Sequence, residues 1–126
     1  MSRKSSLSMA KTKDDVAHKL VGERVFEVAA DLFYREGIRA VGVEKIVKQA
    51  GVAKISLYRN FASKDDLIVA YLESRDAAFW SHLDGVLAEF AGKPHAQLRA
   101  LMSYVVERTT QPGYRGCAFI DRKSVV

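Results

Sequence analysis

The hydrophobic positions between residues 21 and 37 recur at steps of three and four, the spacing of one face of an α-helix. Gly37 follows the last of them, where a glycine commonly ends a helix in the left-handed conformation. The pattern predicts a first amphipathic helix that begins near Asp14 and ends at Gly37. Its apolar face comprises Val21, Val25, Val28, Ala29, Leu32 and Phe33.

Two shorter helical patterns follow, and they meet at Gly51. The spacing predicts a second helix over Val43–Ala50 and a third over Lys54–Phe61, about 12 Å long at 1.5 Å per residue. The third helix is short enough to lie in a DNA major groove, so residues 42–61 are typical of a helix-turn-helix. The apolar positions of the two helices and their turn are Val43, Ile46, Val47, Ala50, Val52, Leu57 and Phe61.

A longer hydrophobic pattern begins after Ser63, which with Asp66 has the form of a capping box. It predicts a fourth helix from Lys64 to Gly92, about 40 Å long. A polar step over 74–76 interrupts the apolar stripe, and we interpret this as the point where the helix leaves one core and enters a second.

A break at 92–94 precedes a fifth helical pattern, which ends before Gln111. No strand pattern and no internal repeat is found in the sequence. The predicted fold class is therefore all-α: a three-helix helix-turn-helix head continued by a long fourth helix into a C-terminal helical domain.

Charge is distributed unevenly along the 126 residues. Residues 1–64 contain 13 basic and 7 acidic side chains, a net charge of +6, whereas residues 65–126 carry a net charge of −1. A basic half that coincides with the helix-turn-helix suits docking on phosphates, although a modest positive charge also serves solubility. Residues 1–13 are rich in Ser and Lys without periodicity, and we expect a disordered basic arm.

Other function classes find little support in the sequence. Cys117 is the only cysteine, so no intrachain disulfide forms, and His18, His82 and His95 lack the companion spacing of a metal site. No phosphate-binding glycine loop or activated nucleophile is found, so we expect no enzyme activity, no metal and no cofactor. Neither a signal peptide nor a membrane span is predicted, which favours the cytoplasm.

The helix-turn-helix resembles that of the tetracycline-repressor (TetR/AcrR-type) family of transcriptional regulators. The resemblance rests on Ala50-Gly51-Val52, on Leu57, Tyr58 and Phe61 in the order L-Y-x-x-F, and on Ser63-Lys64-Asp65. It implies a DNA-binding head over residues 19–79, with the third helix as the recognition helix.

The resemblance also implies which residues contact DNA. We expect Arg59 to pair with guanine, Asn60 with adenine or phosphate, and Ile55 to touch a thymine methyl group. Tyr58 and Lys64 are expected on phosphates. Each of these has an ordinary structural alternative as a solvated or core-packed side chain. The complete set of expected DNA-contacting residues is Gly42, Lys54, Ile55, Ser56, Tyr58, Arg59, Asn60 and Lys64.

The chain departs from the family pattern at three positions. Val41-Gly42 stands where many relatives have Thr or Ser at the start of the second helix, and Ala53 replaces a Ser or Thr cap at the third. Ala53 lacks the capping hydroxyl, a loss of about 1 kcal/mol, whereas Gly42 still serves as a weak cap. Ile55 occupies a position where Gly is common, so we expect a different base sequence to be recognised.

Residues 80–126 resemble only the start of the family's C-terminal domain, and the resemblance stops after Ile120. In the family that domain encloses a small-molecule effector and forms the homodimer that binds a palindromic operator. We therefore expect the partner to be double-stranded DNA, effector binding only in a complete domain, and a chain of these 126 residues that is monomeric or nonspecifically associated. The alternative function is a helical protein-interaction module without a nucleic-acid role.

Overall fold

The computed structural model describes residues 3–120 and the side chains from Thr12 onward. Five helices and their connecting turns make up this part of the chain, which contains no strand, so the predicted all-α class is confirmed. The helices are α1 (Arg3–Glu36), α2 (Val43–Ala50), α3 (Lys54–Asn60), α4 (Lys64–Glu89) and α5 (Pro94–Thr110).

The first helix begins earlier than the sequence pattern predicts. Helix α1 starts at Arg3 rather than near Asp14, so residues 3–13 are helical where a disordered arm was expected. Neither Pro nor Gly occurs before Gly22, and Ala, Lys and Met are good helix formers, so nothing local ends the helix once the packed part has nucleated it. Met1 and Ser2 of the predicted arm lie outside the described residues.

A closed apolar core holds α1, α2 and α3 together. Helix α1 contacts both α2 and α3, and these two contact each other, as in a helix-turn-helix supported by a preceding helix. The predicted apolar faces supply most of the buried residues, and Val41 and Leu67 are buried as well. The buried residues of this core are Val25, Ala29, Leu32, Phe33, Val41, Ile46, Val47, Ala50, Leu57 and Leu67.

The turn between α2 and α3 depends on Gly51. This residue ends α2 with φ 68° and ψ 35°, a left-handed conformation that is costly for side chains with a Cβ. Its N–H donates to the carbonyl of Lys48, and the N–H of Val52 donates to that of Val47, which satisfies the helix end. The helix-turn-helix predicted at Gly51 is confirmed in its geometry.

The starts of the helices follow the predicted caps. The hydroxyl of Ser63 accepts a hydrogen bond of 3.1 Å from the N–H of Asp66 and donates one of 2.7 Å to the Asp66 carboxylate, which fixes the start of α4. Gly42 and Ala53 precede α2 and α3 in extended conformations, and neither has a side-chain cap. Val41 and Ile46 occupy the two positions of a hydrophobic staple around the start of α2, and both are fully buried.

The chain forms two compact units, which divide between Val69 and Ala70 within the uninterrupted helix α4. The change of core was predicted over 74–76 and the end of the head at 79, so the division comes earlier than expected. In the second unit the rings of His82 and Tyr104 stack with centroids 3.6 Å apart. Residues 121–126, the end of the predicted C-terminal region, lie outside the described residues.

Candidate nucleic-acid interface

Helix α3 buries one side and exposes the other. Leu57 is fully buried against the core, whereas Ile55 is 61% and Tyr58 43% exposed. Lys54 and Arg59 are exposed as well. A helix of seven residues that carries two cations, an aromatic ring and an exposed aliphatic side chain on its outer side has the composition of a groove-binding element.

Arg59 lies in the last turn of α3. Its side chain is exposed, and it forms no salt bridge with any residue of the described chain. Five fixed N–H donors and a permanent charge therefore remain directed to solvent at this position. That is the chemistry that pairs with the O6 and N7 atoms of guanine or with a phosphate.

Lys54, the first residue of α3, forms an ion pair with Glu44 of α2. The hydrogen bond to the Glu44 carboxylate is the main cause that raises the pKa of Lys54 above its ordinary value. Lys54 therefore keeps its positive charge throughout the physiological pH range, but a carboxylate already partly neutralises that charge in the free protein.

Asn60 is turned away from the outer side of α3, which corrects the orientation predicted from the sequence. Its amide Nδ2 donates a 2.9 Å hydrogen bond to the carbonyl of Ser56, and both residues are half-buried. The side chain lies against Gly22 of α1, where an added Cβ would approach the Asn60 Oδ1 atom to 2.4 Å. Asn60 thus fixes the end of α3 on α1.

Gly22 was not identified by the sequence analysis. It lies in the middle of α1, where a glycine normally weakens a helix, and it is buried. A glycine inside an otherwise good helical pattern signals close approach of another group, and this signal was available in the sequence. Its partner Asn60 was not predictable, because the contact joins residues 38 positions apart.

Two further expected residues flank α3. Gly42 precedes α2, and its carbonyl accepts hydrogen bonds from the N–H groups of Lys45 and Ile46. Lys64 is the first residue of α4 and is half-buried, beside the capped helix start at Ser63. Helix starts attract phosphate through free N–H groups and the helix dipole.

The second unit contains a cavity of about 520 Å³. Aromatic side chains provide much of its wall, and Phe79 and Trp80 meet edge to face with ring centroids 5.4 Å apart. Arg108 donates a 2.9 Å hydrogen bond to the hydroxyl of Tyr104. The size falls in the range of small-molecule sites. The aromatic and charged residues of the wall are Arg75, Asp76, Phe79, Trp80, Tyr104, Arg108, Tyr114 and Phe119.

Neither a metal-binding cluster nor a membrane-spanning helix is found in the part of the chain that the structure describes. No cluster of three or more His, Cys, Asp or Glu side chains suited to a metal ion occurs within residues 3–120. In that range, no helix combines the length and the apolar character needed to cross a membrane.

Comparison with known proteins places the helix-turn-helix in a family. Residues 25–71 match the model of the bacterial regulatory proteins of the tetR family. The chain is 26% identical over 113 residues to the HTH-type transcriptional regulator AcrR of Shigella flexneri, covering 82% of this chain and 53% of the relative. It is 35% identical over 83 residues to the transcriptional regulator AcuR of Cereibacter sphaeroides, covering 65% of this chain and 38% of the relative.

A solved structure extends the likeness to the fold. A TetR-family transcriptional regulator from Streptomyces coelicolor superposes with a TM-score of 0.76 at 36% sequence identity, over 79% of this chain and 52% of that protein. The chain thus spans about half the length of AcrR and of this solved structure. The matched family model, the fold and the helix-turn-helix geometry agree, and the chain is similar to the TetR/AcrR-type bacterial transcriptional regulators.

Proposed function

We propose that this chain is a sequence-specific, DNA-binding transcriptional regulator. The observation that carries the proposal is the exposed side of α3, where Lys54, Ile55, Tyr58 and Arg59 face outward while Leu57 anchors the helix in the core. A rigid platform lowers the entropic cost of presenting these groups to a groove. The match of residues 25–71 to the tetR family model and the net charge of +6 in residues 1–64 support the same role.

Within this proposal, the exposed side chains divide into two groups. Arg59 pairs with guanine and Ile55 packs on a thymine methyl group, so these two discriminate between bases. Tyr58 and Lys64 hold phosphates and position the helix without sequence preference. Gly42, at the start of α2, contacts the DNA backbone through its main chain. Asn60 is omitted from the base contacts because its amide is engaged with Ser56 and its side chain lies against Gly22.

The proposal is tested by fluorescence anisotropy with labelled genomic fragments between 50 and 200 mM salt. Neutralisation of several phosphates should make the logarithm of the binding constant fall steeply and linearly with the logarithm of salt concentration. One fragment class should bind better than a random duplex. Absent binding, or binding that salt does not change, would instead favour the helical interaction module.

A finer part of the proposal concerns an effector. We propose that the cavity of the second unit binds a small aromatic anion, and that binding releases the regulator from DNA. Aromatic rings suit a flat apolar ligand, and Arg75 and Arg108 outweigh the single acid Asp76 in the wall. This fits the family's regulatory role and a function in the bacterial cytoplasm without enzyme chemistry.

Trp80 provides the test of effector binding, because it is the only tryptophan and lines the cavity. Benzoate and salicylate should change its emission in a saturable manner and weaken DNA binding over the same concentration range. The aliphatic anion acetate is the matched control. Trp80 emission that does not respond to benzoate or salicylate, or that responds equally to acetate, contradicts the effector proposal. The proposal that the chain binds DNA does not depend on this result.

A further inference from the structure

Glu44 and Lys54 join two helices across the surface proposed to face DNA. They lie ten positions apart, in the first turn of α2 and at the first residue of α3, and their charged groups form an ion pair. The Lys54 side chain is 51% exposed and the Glu44 side chain 77% exposed. A carboxylate therefore stands on a surface where nearly every other assigned group attracts phosphate.

The position of Lys54 in α3 explains why a carboxylate is favourable there. The N-terminus of a helix carries partial positive charge, so a lysine as first residue is electrostatically unfavourable. Ala53 provides no side-chain cap that would offset this. Glu44 offsets it from the neighbouring helix, and the carboxylate itself lies in the first turn of α2, where acidic groups are favoured.

Exposure limits what the pair contributes to folding. Ion pairs between exposed side chains add little to stability, because water and salt screen them and two long side chains lose freedom. The same pair matters more for DNA, since a phosphate that approaches α3 competes with Glu44 for one ammonium group. In addition, the carboxylate repels the phosphate.

Building on the proposed function, we infer that Glu44 is a positioning residue that holds Lys54 away from phosphates in the free protein and thereby weakens binding to DNA of any sequence. A phosphate that contacts Lys54 must displace the Glu44 carboxylate or share the ammonium group with it against the repulsion between the two anions. Each phosphate neutralised normally adds to sequence-independent affinity, so this restraint removes part of that affinity. Binding then depends more strongly on the base contacts of Arg59 and Ile55.

The chain offers a matched control in α1. Asp31 and Arg35 form another exposed ion pair, four positions apart and outside the helix-turn-helix. Glu44→Gln and Asp31→Asn each remove one negative charge and leave one cation unpaired. Any difference between them therefore reports the place of the charge and is independent of the net charge of the protein.

The experiment measures the affinity of the full chain for a labelled random-sequence 20-base-pair duplex, from 50 to 200 mM salt. Glu44→Gln should lower Kd about fivefold and steepen the salt dependence by about one phosphate contact. Asp31→Asn should change Kd less than twofold, and Glu44→Asp, which keeps the charge, should bind like the wild type. Circular dichroism confirms that each variant is folded.

A second pair of variants tests whether Glu44 acts through Lys54. In a Lys54→Met background, Glu44→Gln should improve Kd at most twofold, because the ammonium group that it would release is absent. A double-mutant cycle over the four proteins gives this coupling directly.

Several results overturn the inference. One is an equal gain in DNA affinity for Glu44→Gln and Asp31→Asn. Another is a gain in affinity for Glu44→Gln that persists in full in the Lys54→Met background. The third is weaker DNA binding by Glu44→Gln, which would make Glu44 a DNA contact itself. Wild-type binding with any of these outcomes leaves the proposed function intact. If neither the wild type nor any variant binds duplex DNA, both the proposed function and this inference fail.

Discussion

The two units of the chain differ in how completely they bury their apolar side chains. Ten of the twelve buried hydrophobic residues of the described chain lie in the first unit, and only Tyr71 and Val86 lie in the second. Helix α5 has no buried residue, although its apolar positions have helical spacing. Large hydrophobic side chains that remain exposed there include Leu98, Met102 and Val106.

This difference shows that amphipathic periodicity identifies a helix face without stating what covers it. The face of α1 is covered because α2 and α3 pack on it, whereas the exposed positions of α5 have the same spacing without such cover. The first unit is therefore a rigid platform with a defined outer side on α3. In the second unit, apolar surface and an aromatic cavity are accessible to ligands or to other protein surfaces.

The largest expected effect is on stability, and it is measured by replacing one leucine with alanine in each unit. Leu57→Ala removes a fully buried side chain from the core beneath α3 and should lower the free energy of unfolding by about 2–5 kcal/mol. Leu98→Ala, at a position 60% exposed in α5, should cost well under about 1 kcal/mol. Urea unfolding followed by circular dichroism measures both, and equal losses would contradict the contrast in burial.

The sequence predicted the features that depend on local interactions and missed those that depend on distant parts of the chain. The bounds of α2, the turn at Gly51 and the capped start of α4 were predicted correctly, because each depends on residues within one or two turns. The early start of α1 and the inward orientation of Asn60 were missed. The first reflects helix propagation from a packed segment, and the second depends on Gly22 in a distant part of the chain.

The candidate nucleic-acid interface was also predicted only in part from the sequence. Helical spacing was sufficient to place Lys54, Ile55, Tyr58 and Arg59 on the outer side of α3. The ion pair between Lys54 and Glu44 was not predicted, since it depends on the angle between two helices rather than on a sequence pattern. Roles on DNA were predicted only through the resemblance, and they stay predictions.

The next effect concerns binding and compares an arginine of each unit. Arg59→Ala should cost about 1–3 kcal/mol of binding free energy on a preferred fragment and relax the preference at one base position. Arg99→Ala, which removes the same charge from an exposed position of α5, should leave the preference unchanged. Selection of bound sequences from a random pool gives the preference, and equal profiles for the two variants would remove Arg59 from the base contacts.

The smallest effect sharpens the description of α3. Ala53 already has the extended backbone of an N-cap but no capping side chain, so Ala53→Ser should stabilise the protein by about 1 kcal/mol. The midpoint of thermal unfolding should rise accordingly. Gly42→Ser is the matched change at the start of α2, with a smaller expected gain of a few tenths of a kcal/mol, since Gly is already an acceptable cap. A loss of stability in Ala53→Ser would show that the start of α3 is arranged differently.

The central claim, that the first unit contacts DNA through α3 while the second unit does not, is tested most directly by NMR. Amide spectra of the ¹⁵N-labelled chain are recorded with increasing amounts of a duplex that it binds. The account predicts that the largest shifts fall within residues 42–64 and that they diminish as salt rises from 50 to 200 mM. Shifts that are concentrated in residues 70–120, or spread evenly over both units, would contradict it.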